Sequence, residues 1–217
     1  RKAKARDPIS AKLVADLITS AGADRVITMD LHCAQIQGFF NIPVDHLVGM
    51  PLLSKYYGEK FGYGNDDIVA VSPDLGSVTR TRAFAEQLDV PIAIVDKRRP
   101  KPNVSEIMNI IGDFKDKTVI LYDDMIDTAG TITNAANAII DRGAKKVYAC
   151  CTHGVLSGAA IERIQNSKIE ELLVLDTVPL TADKAIPKIK QKSVAKVFAD
   201  AIYRIHEGLP VSRIFEY

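Results

Sequence analysis

The sequence is poor in cysteine and in long apolar runs. Its 217 residues include three cysteines, Cys33, Cys150 and Cys151. The number is odd and two of the cysteines are adjacent in an apolar segment. This argues against a disulfide framework and favours buried, reduced thiols of a cytoplasmic protein. No apolar run is long enough to span a bilayer, and we expect no signal peptide.

An excess of charge of one sign is also missing. Lys and Arg total 28 against 27 for Asp and Glu, which argues against a nucleic-acid or membrane partner attracted by overall charge. The basic residues gather locally, at 1–6 and 97–101. The chain has no initiator methionine and opens inside the first basic cluster, so we expect a fragment that lacks its front.

The sequence does contain a regular alternation of helical and β-type patterns. Apolar residues at helical spacing predict helices at 10–21, 51–61, 79–88, 132–140, 157–165 and 193–207. Short β-favouring runs predict strands at 25–30, 68–72, 91–95, 119–121, 146–152, 171–175 and 211–215. This order predicts an α/β fold with parallel sheets flanked by helices. Ligands of such sheets lie at the carboxyl ends of the strands, so five aspartates can converge there: Asp30, Asp74, Asp96, Asp123 and Asp124.

The most informative segment is TVILYDDMIDTAGT at 118–131. An apolar strand is followed by the pair Asp123 and Asp124 and then by a loop of small residues that opens a helix. Such a loop presents backbone N–H groups and hydroxyls to an anion, and the helix dipole favours negative charge there. The carboxylates can bind sugar hydroxyls, so the combination indicates a phosphorylated ribose. The alternative is an ordinary strand–loop–helix unit.

Three other clusters of polar residues follow predicted strands. His32 comes after Asp30 in a polar segment and can bind a metal or a phosphate, although a lone histidine is more often structural. Asp74 can hold a hard cation, and Gly76 with Ser77 can offer donors to phosphate oxygens; the alternative is an ordinary turn.

The third cluster, DKRRPK at 96–101, is basic. It can close over a polyphosphate and neutralise charge that develops during transfer. The alternative is a solvated charged face.

The 118–131 segment resembles the ribose-5-phosphate loop of the type I phosphoribosyltransferase fold. The whole chain resembles the ribose-phosphate pyrophosphokinase, or phosphoribosyl pyrophosphate synthetase, family. Six segments carry this resemblance: 8–14, 29–40, 71–74, 96–100, 123–131 and 152–158. The DLH…QIQG and DKRRP elements separate this family from ordinary phosphoribosyltransferases.

The resemblance implies a transferase that moves the β,γ-diphosphoryl group of ATP to the 1-hydroxyl of ribose 5-phosphate. The products are AMP and 5-phosphoribosyl 1-diphosphate, a precursor in nucleotide biosynthesis, and the reaction requires Mg²⁺. The 5-phosphate is assigned to Thr128, Ala129, Gly130 and Thr131, and the ribose to Asp123, Asp124 and Asp127. Mg·ATP is assigned to His32 and Asp74 as metal ligands, with His32, Gly76 and Ser77 on the phosphates. The catalytic cations are Lys97 and Arg99, on a flexible loop.

The resemblance also implies two similar α/β domains, one complete and one a remnant. Residues 1–45 belong to the first domain, 46–190 form the second with the ribose-5-phosphate loop, and 191–217 return to the first as a helix and a strand. A polar stretch at 180–191 is the expected crossing. The implied assembly is a homo-oligomer built on dimers, of which a hexamer is one form.

Two features depart from the family pattern. Ser77 stands where the family usually has a second glycine, and Pro210 stands in the segment that binds regulatory phosphate. Two alternative functions remain open: a phosphoribosyltransferase that consumes the diphosphate, which needs neither His32 nor the Lys97 loop, and a catalytically silent regulatory subunit. The intact Lys97 and Arg99 favour the enzyme.

Overall fold

The computed structural model describes residues 6–98 and 107–215. Arg99 and the rest of the basic segment up to residue 106 lie outside the described residues. The chain divides into two compact units: Arg1–Gly49 with Val197–Tyr217, and Met50–Lys196. In the part of the chain that the structure describes, no helix has the length and apolar content needed to cross a membrane.

The first unit contains a small parallel sheet. Helix α1 (Ser10–Ser20) precedes β1 (Val26–Met29), and a 3₁₀ helix (Ala34–Phe39) leads to β2 (Val44–Leu47), which pairs with β1. Gly22 ends α1 because it adopts a φ of 96°, which other residues rarely adopt. The unit also takes most of α6 (Ala195–His206).

The expected last strand at 211–215 is wrong. This segment forms a second 3₁₀ helix, Val211–Phe215. It pairs with no strand among the described residues, and a β-favouring run of five residues does not hold a strand conformation without a partner.

The second unit is built on a seven-stranded sheet in the order β5-β4-β3-β6-β7-β8-β9. Its strands are β3 (Ile68–Ser72), β4 (Ile92–Arg98), β5 (Ile107–Ile111), β6 (Thr118–Ile126), β7 (Lys146–Gly154), β8 (Ile169–Leu175) and β9 (Ile189–Lys192). All neighbours are parallel except β4 and β5. The expectation of a parallel sheet is therefore correct for all but one edge.

Helices cover both faces of this sheet. On one face, α4 (Gly130–Asp141) and α5 (Ala160–Asn166) pack on an aliphatic core that includes Leu121. On the other face lie α2 (Met50–Phe61) and α3 (Val78–Leu88). There Phe84 stacks on Tyr122 with ring centroids 4.7 Å apart. Adjacent strand residues point to opposite faces, so Leu121 and Tyr122 serve the two cores separately.

Several strands are longer or more numerous than the sequence predicts. β6 runs five residues beyond the apolar stretch 119–121, to Ile126. Its ladder with β7 continues over this length, from the pair Asp123–Cys151 to the pair Ile126–Gly154. β4 extends through Lys97 and Arg98, which pair with Met108 and Ile107. The polar stretch at 180–191, expected as a crossing between domains, leads into the edge strand β9.

Candidate active site

The neighbouring strands β3 and β6 leave a crevice at their carboxyl ends. β3 continues through α3 to β4 on one side, and β6 continues through α4 to β7 on the other. Because the two connections leave in opposite directions, the space above these strands stays open, and this is where open α/β sheets bind ligands. The resulting cleft has a volume of about 180 Å³ and is lined by Asp74, Asp123 and residues 125–132.

One wall of the cleft is acidic. Asp74 follows β3 and Asp123 lies within β6. The backbone N–H of Ser77 donates to Oδ1 of Asp74 at 2.9 Å, and the Ser77 hydroxyl donates to Oδ1 of Asp123 at 2.9 Å. The sequence predicts that Ser77 offers donors to a diphosphate. In the structure, both donors of Ser77 are directed at carboxylates.

The loop 127–131, which opens α4, also lines the cleft. Ala129 is the N-cap of this helix and has a left-handed backbone with φ 60° and ψ 3°. A left-handed residue beside a right-handed helical one turns successive N–H groups to the same side, which makes an anion-binding concavity. The N–H groups of a helix's first turn also lack intrahelical acceptors. The side chains of Thr128 and Thr131 are exposed beside them.

The segment after β7 holds this loop in place. The N–H of Leu156 donates to the carbonyl of Ile126 at 3.1 Å, and that of Ser157 donates to the carbonyl of Asp127 at 3.0 Å. The Ser157 hydroxyl also donates to the Asp127 carboxylate. From α5, Nη1 of Arg163 donates to the carbonyl of Thr128 at 2.7 Å. The sequence analysis assigns no role to Ser157 or Arg163. Ser157 lies within the 152–158 motif, whereas Arg163 lies outside every segment that carries the family resemblance.

Asp123 and Asp124 have different environments although they are adjacent. Asp124 is 3% exposed and forms an ion pair with Arg80 of α3, with Oδ2 and Nη1 2.5 Å apart. It is not among the residues that line the cleft, so its contact with a ribose stays a prediction. Sequence reasoning did not identify Arg80 as its partner.

Asp123 does line the cleft, and it is the more unusual carboxyl group. Burial raises its pKa to about 7, and a hydrogen bond and the charge of Asp124 add to the rise. Donation from the Ser77 hydroxyl and from the Asp124 N–H acts in the opposite direction. Near neutral pH, this group can therefore gain or lose a proton.

The predicted catalytic cations are only partly described. The backbone of Lys97 lies in β4, where it pairs with Met108, so the expectation that Lys97 sits on a flexible loop is wrong. The antiparallel ladder with β5 extends the strand past the apolar run that the sequence shows. Arg99 lies outside the described residues.

His32 belongs to the first unit, so it is described separately from the cleft. Its side chain is exposed, in the turn after β1. Nearby, Asp30 has a left-handed backbone with φ 43°, and its Oδ2 accepts the N–H of Gly49 at 3.0 Å. The N–H of Leu31 donates to Nε2 of His46 at 2.9 Å. Burial lowers the pKa of His46, a residue that the sequence analysis did not select.

Comparison with known proteins gives consistent results. The family described as phosphoribosyl synthetase-associated domain matches residues 97–216. The ribose-phosphate pyrophosphokinase of Clostridium perfringens is 69% identical over 216 residues, which are 100% of this chain and 68% of the relative. That of Clostridium acetobutylicum is 65% identical, covering 100% of this chain and 67% of the relative.

A solved structure extends the match to the fold. The phosphoribosylpyrophosphate synthetase from Mycobacterium smegmatis is 44% identical and superposes with a TM-score of 0.88, covering 96% of this chain and 67% of that one. The chain thus spans about two thirds of these relatives. The predicted α/β fold and the predicted family resemblance are confirmed, and the chain belongs to the ribose-phosphate pyrophosphokinase family of enzymes.

Proposed function

We propose that this protein transfers the diphosphoryl group of ATP to the 1-hydroxyl of ribose 5-phosphate, giving AMP and 5-phosphoribosyl 1-diphosphate. The observation that carries the proposal is the cleft between β3 and β6. Its lining combines the carboxylates of Asp74 and Asp123 with the N–H groups and hydroxyls of the loop 127–131, the two kinds of group that a phosphorylated sugar requires at its two ends.

Ribose 5-phosphate binds with its phosphate on the loop and its hydroxyls toward the carboxylates. The phosphate accepts hydrogen bonds from the N–H groups of Gly130 and Thr131 and from the exposed Thr128 hydroxyl, at the positive end of the α4 dipole. Asp123 accepts hydrogen bonds from the ribose hydroxyls. Asp127, fixed by Ser157, completes the ribose side of the site.

The diphosphoryl donor lies toward Asp74 and the loop at 74–77. The N–H of Gly76 is available in an exposed turn, and His32 of the first unit is proposed as a further ligand of Mg·ATP. Lys97 and Arg99 are proposed to stabilise the transferring group, because cations placed where charge develops act mainly on the transition state.

Mg²⁺ is proposed as the cofactor, and the residues of the cleft fit it. No cluster of three metal-ligating side chains occurs among residues 6–98 and 107–215. Mg²⁺ typically needs only one or two carboxylates, with waters and substrate phosphates completing its shell. Asp74 supplies such an oxygen ligand, since only its Oδ1 is bonded to Ser77. When bound, Mg²⁺ neutralises phosphate charge that an acidic cleft would otherwise repel.

The test is AMP release by the complete protein. With Mg²⁺, ATP and ribose 5-phosphate together, AMP and 5-phosphoribosyl 1-diphosphate should form in equal amounts, and omission of ribose 5-phosphate should abolish both. Formation of ADP in place of AMP would refute the diphosphoryl transfer. No product in any mixture would instead favour the silent regulatory subunit.

The proposal includes a cytoplasmic location and assembly into a homo-oligomer built on dimers. Exposed apolar side chains on α1 and α6, including Leu13, Leu17 and Ile202, support a further contact surface in the first unit. Light scattering of the complete protein should give a mass of two or more chains, and a monomer at micromolar concentration would contradict the assembly.

A further inference from the structure

Ser77 occupies the N-cap position of α3 but does not cap the helix with its side chain. A serine at this position ordinarily accepts a hydrogen bond from an N–H of the first turn. Here its hydroxyl is directed to Oδ1 of Asp123, 2.9 Å away. In this bond the serine hydroxyl is the donor and the carboxyl oxygen of Asp123 is the acceptor. The serine thus gives up a helix cap and holds a carboxylate of the cleft.

The rest of Ser77 is equally fixed. Its N–H donates to Oδ1 of Asp74 at 2.9 Å. Its carbonyl oxygen accepts the N–H and the hydroxyl of Thr81, each at 2.9 Å. Ser77 is 3% exposed, so water competes little for these bonds. One buried residue therefore connects the carboxylates of two neighbouring strands, Asp74 after β3 and Asp123 in β6.

We propose that Ser77 is a positioning residue that orients Asp123 toward the ribose of the sugar phosphate, and that it is not itself a ligand of the diphosphate. This inference rests on the proposed function, because it assumes that Asp123 receives the ribose. The Asp123 Oδ1 also accepts the N–H of Asp124 at 2.9 Å. With two donors on one oxygen, the plane of the carboxylate is set before the sugar arrives.

The two hydrogen bonds of Ser77 reach different carboxylates. Its hydroxyl donates to Asp123, on the ribose side of the proposed site, and its backbone N–H donates to Asp74, on the nucleotide side. A substitution that removes only the hydroxyl should therefore change the affinity for the sugar phosphate and leave the affinity for the nucleotide unchanged. A direct role on the diphosphate would produce the reverse pattern.

The experiment measures two dissociation constants by calorimetry on the complete protein. The ligands are ribose 5-phosphate and, separately, Mg²⁺ with α,β-methylene-ATP. In this analogue a methylene group replaces the oxygen between the α and β phosphorus atoms, so its diphosphoryl group cannot be transferred. The variants are Ser77→Ala and Ser77→Gly. Both keep the N–H that Asp74 accepts and lose the hydroxyl. Both should therefore weaken the binding of ribose 5-phosphate by about tenfold, because Asp123 loses the bond that holds it in the orientation that receives the ribose. Neither should change the constant for the nucleotide analogue.

Thr81→Val serves as the matched control. It removes a hydroxyl that bonds the carbonyl of Ser77, loosens the same turn of α3 and leaves the Asp123 contact in place. It should retain ribose 5-phosphate affinity. If Thr81→Val weakens the sugar phosphate as much as the Ser77 variants do, Ser77 acts only through the stability of the turn, and the positioning role is wrong.

The remaining outcomes are also decisive. Weakened binding of the nucleotide analogue with unchanged ribose 5-phosphate would make Ser77 a diphosphate ligand and overturn the proposal. Unchanged constants for both ligands would do the same. If one substitution prevents folding, the other still reports on the hydroxyl. If the wild-type protein fails to bind ribose 5-phosphate at all, the proposed function fails, whatever the variants do.

Discussion

Thr128 is exposed in the cleft, and its own carbonyl oxygen is held by Arg163. Thr128→Val removes the hydroxyl at nearly constant shape. We expect the KM for ribose 5-phosphate to rise by about tenfold, because one hydrogen bond to a charged phosphate is lost. The KM for ATP should stay close to the wild-type value. Initial rates with each substrate varied in turn measure both constants.

The control for this substitution is Thr79→Val, at an exposed position on α3. It should leave both constants unchanged. Equal increases in the two KM values for Thr128→Val would show that the hydroxyl does not distinguish the sugar phosphate from the nucleotide.

Asp123 should make the unliganded protein less stable as pH rises. The folded state holds a proton on this carboxyl up to about pH 7, while the ordinary value is 3.8. Between these values the unfolded chain binds fewer protons than the folded one, so the free energy of unfolding falls as pH increases. Asp123→Asn removes this titration, and its Tm should depend less on pH over the same range.

Calorimetric Tm values from about pH 5 to about pH 8 test this. Above pH 7 the Asn variant should melt at a higher temperature than the wild type, since no charge is buried. Asp66→Asn, at an exposed position, should melt in parallel with the wild type. Parallel curves for Asp123→Asn as well would show that Asp123 titrates normally.

Among the elements, the connection from β7 to α5 and the helix α5 itself hold the 127–131 loop through hydrogen bonds. The bond from Arg163 of α5 can be removed without disturbing the core, because this side chain is exposed. Arg163→Met deletes the hydrogen bond to the Thr128 carbonyl and keeps most of the aliphatic stem. We expect the KM for ribose 5-phosphate to rise a few-fold, in keeping with one lost hydrogen bond of about 1 kcal/mol, and Tm to change little.

The comparison variant is Arg82→Met, which changes an exposed arginine on α3. It should behave as the wild type in the same kinetic assay. A normal KM for Arg163→Met would mean that the backbone bonds from Leu156 and Ser157 suffice to hold the loop.

Strand β4 contains Lys97, which is proposed to act in the transfer of the diphosphoryl group. The backbone of β4 runs through Lys97, so this residue lies in the sheet, paired with Met108 of the edge strand β5, and not in a loop. A preorganised donor near developing charge contributes about 10²–10³ to kcat. Lys97→Ala in the complete protein should therefore lower kcat by about this factor, with small changes in either KM. Steady-state rates at saturating substrates give the value, and a kcat near the wild-type value would identify the basic run as a solvated face.

Over the whole molecule, the sequence predicts the central strands and the helices between them, because buried parallel strands are apolar along their length and have clear ends. It does not predict β2, β5 or β9, which are short, lie at sheet edges and contain polar residues such as Asp45, Asn109 and Gln191. Their strand conformation comes from pairing with a neighbour, which no local pattern records.

The same distinction applies to the cleft. The 123–131 motif identifies which residues gather there, since strand, acidic pair and loop are contiguous in sequence. The separate environments of Asp123 and Asp124 depend on Ser77 and Arg80, which are more than forty residues away in the chain. Only the packing of α3 against β6 brings them together.

Ribose 5-phosphate is proposed to occupy the cleft between β3 and β6. Hydrogen–deuterium exchange on the complete protein tests this placement across the whole chain at once. Saturating ribose 5-phosphate should slow amide exchange most strongly in peptides that contain residues 128–131, the loop proposed to bind the phosphate. If exchange in those peptides is unchanged while another part of the chain becomes protected, the sugar phosphate binds elsewhere and the account is contradicted.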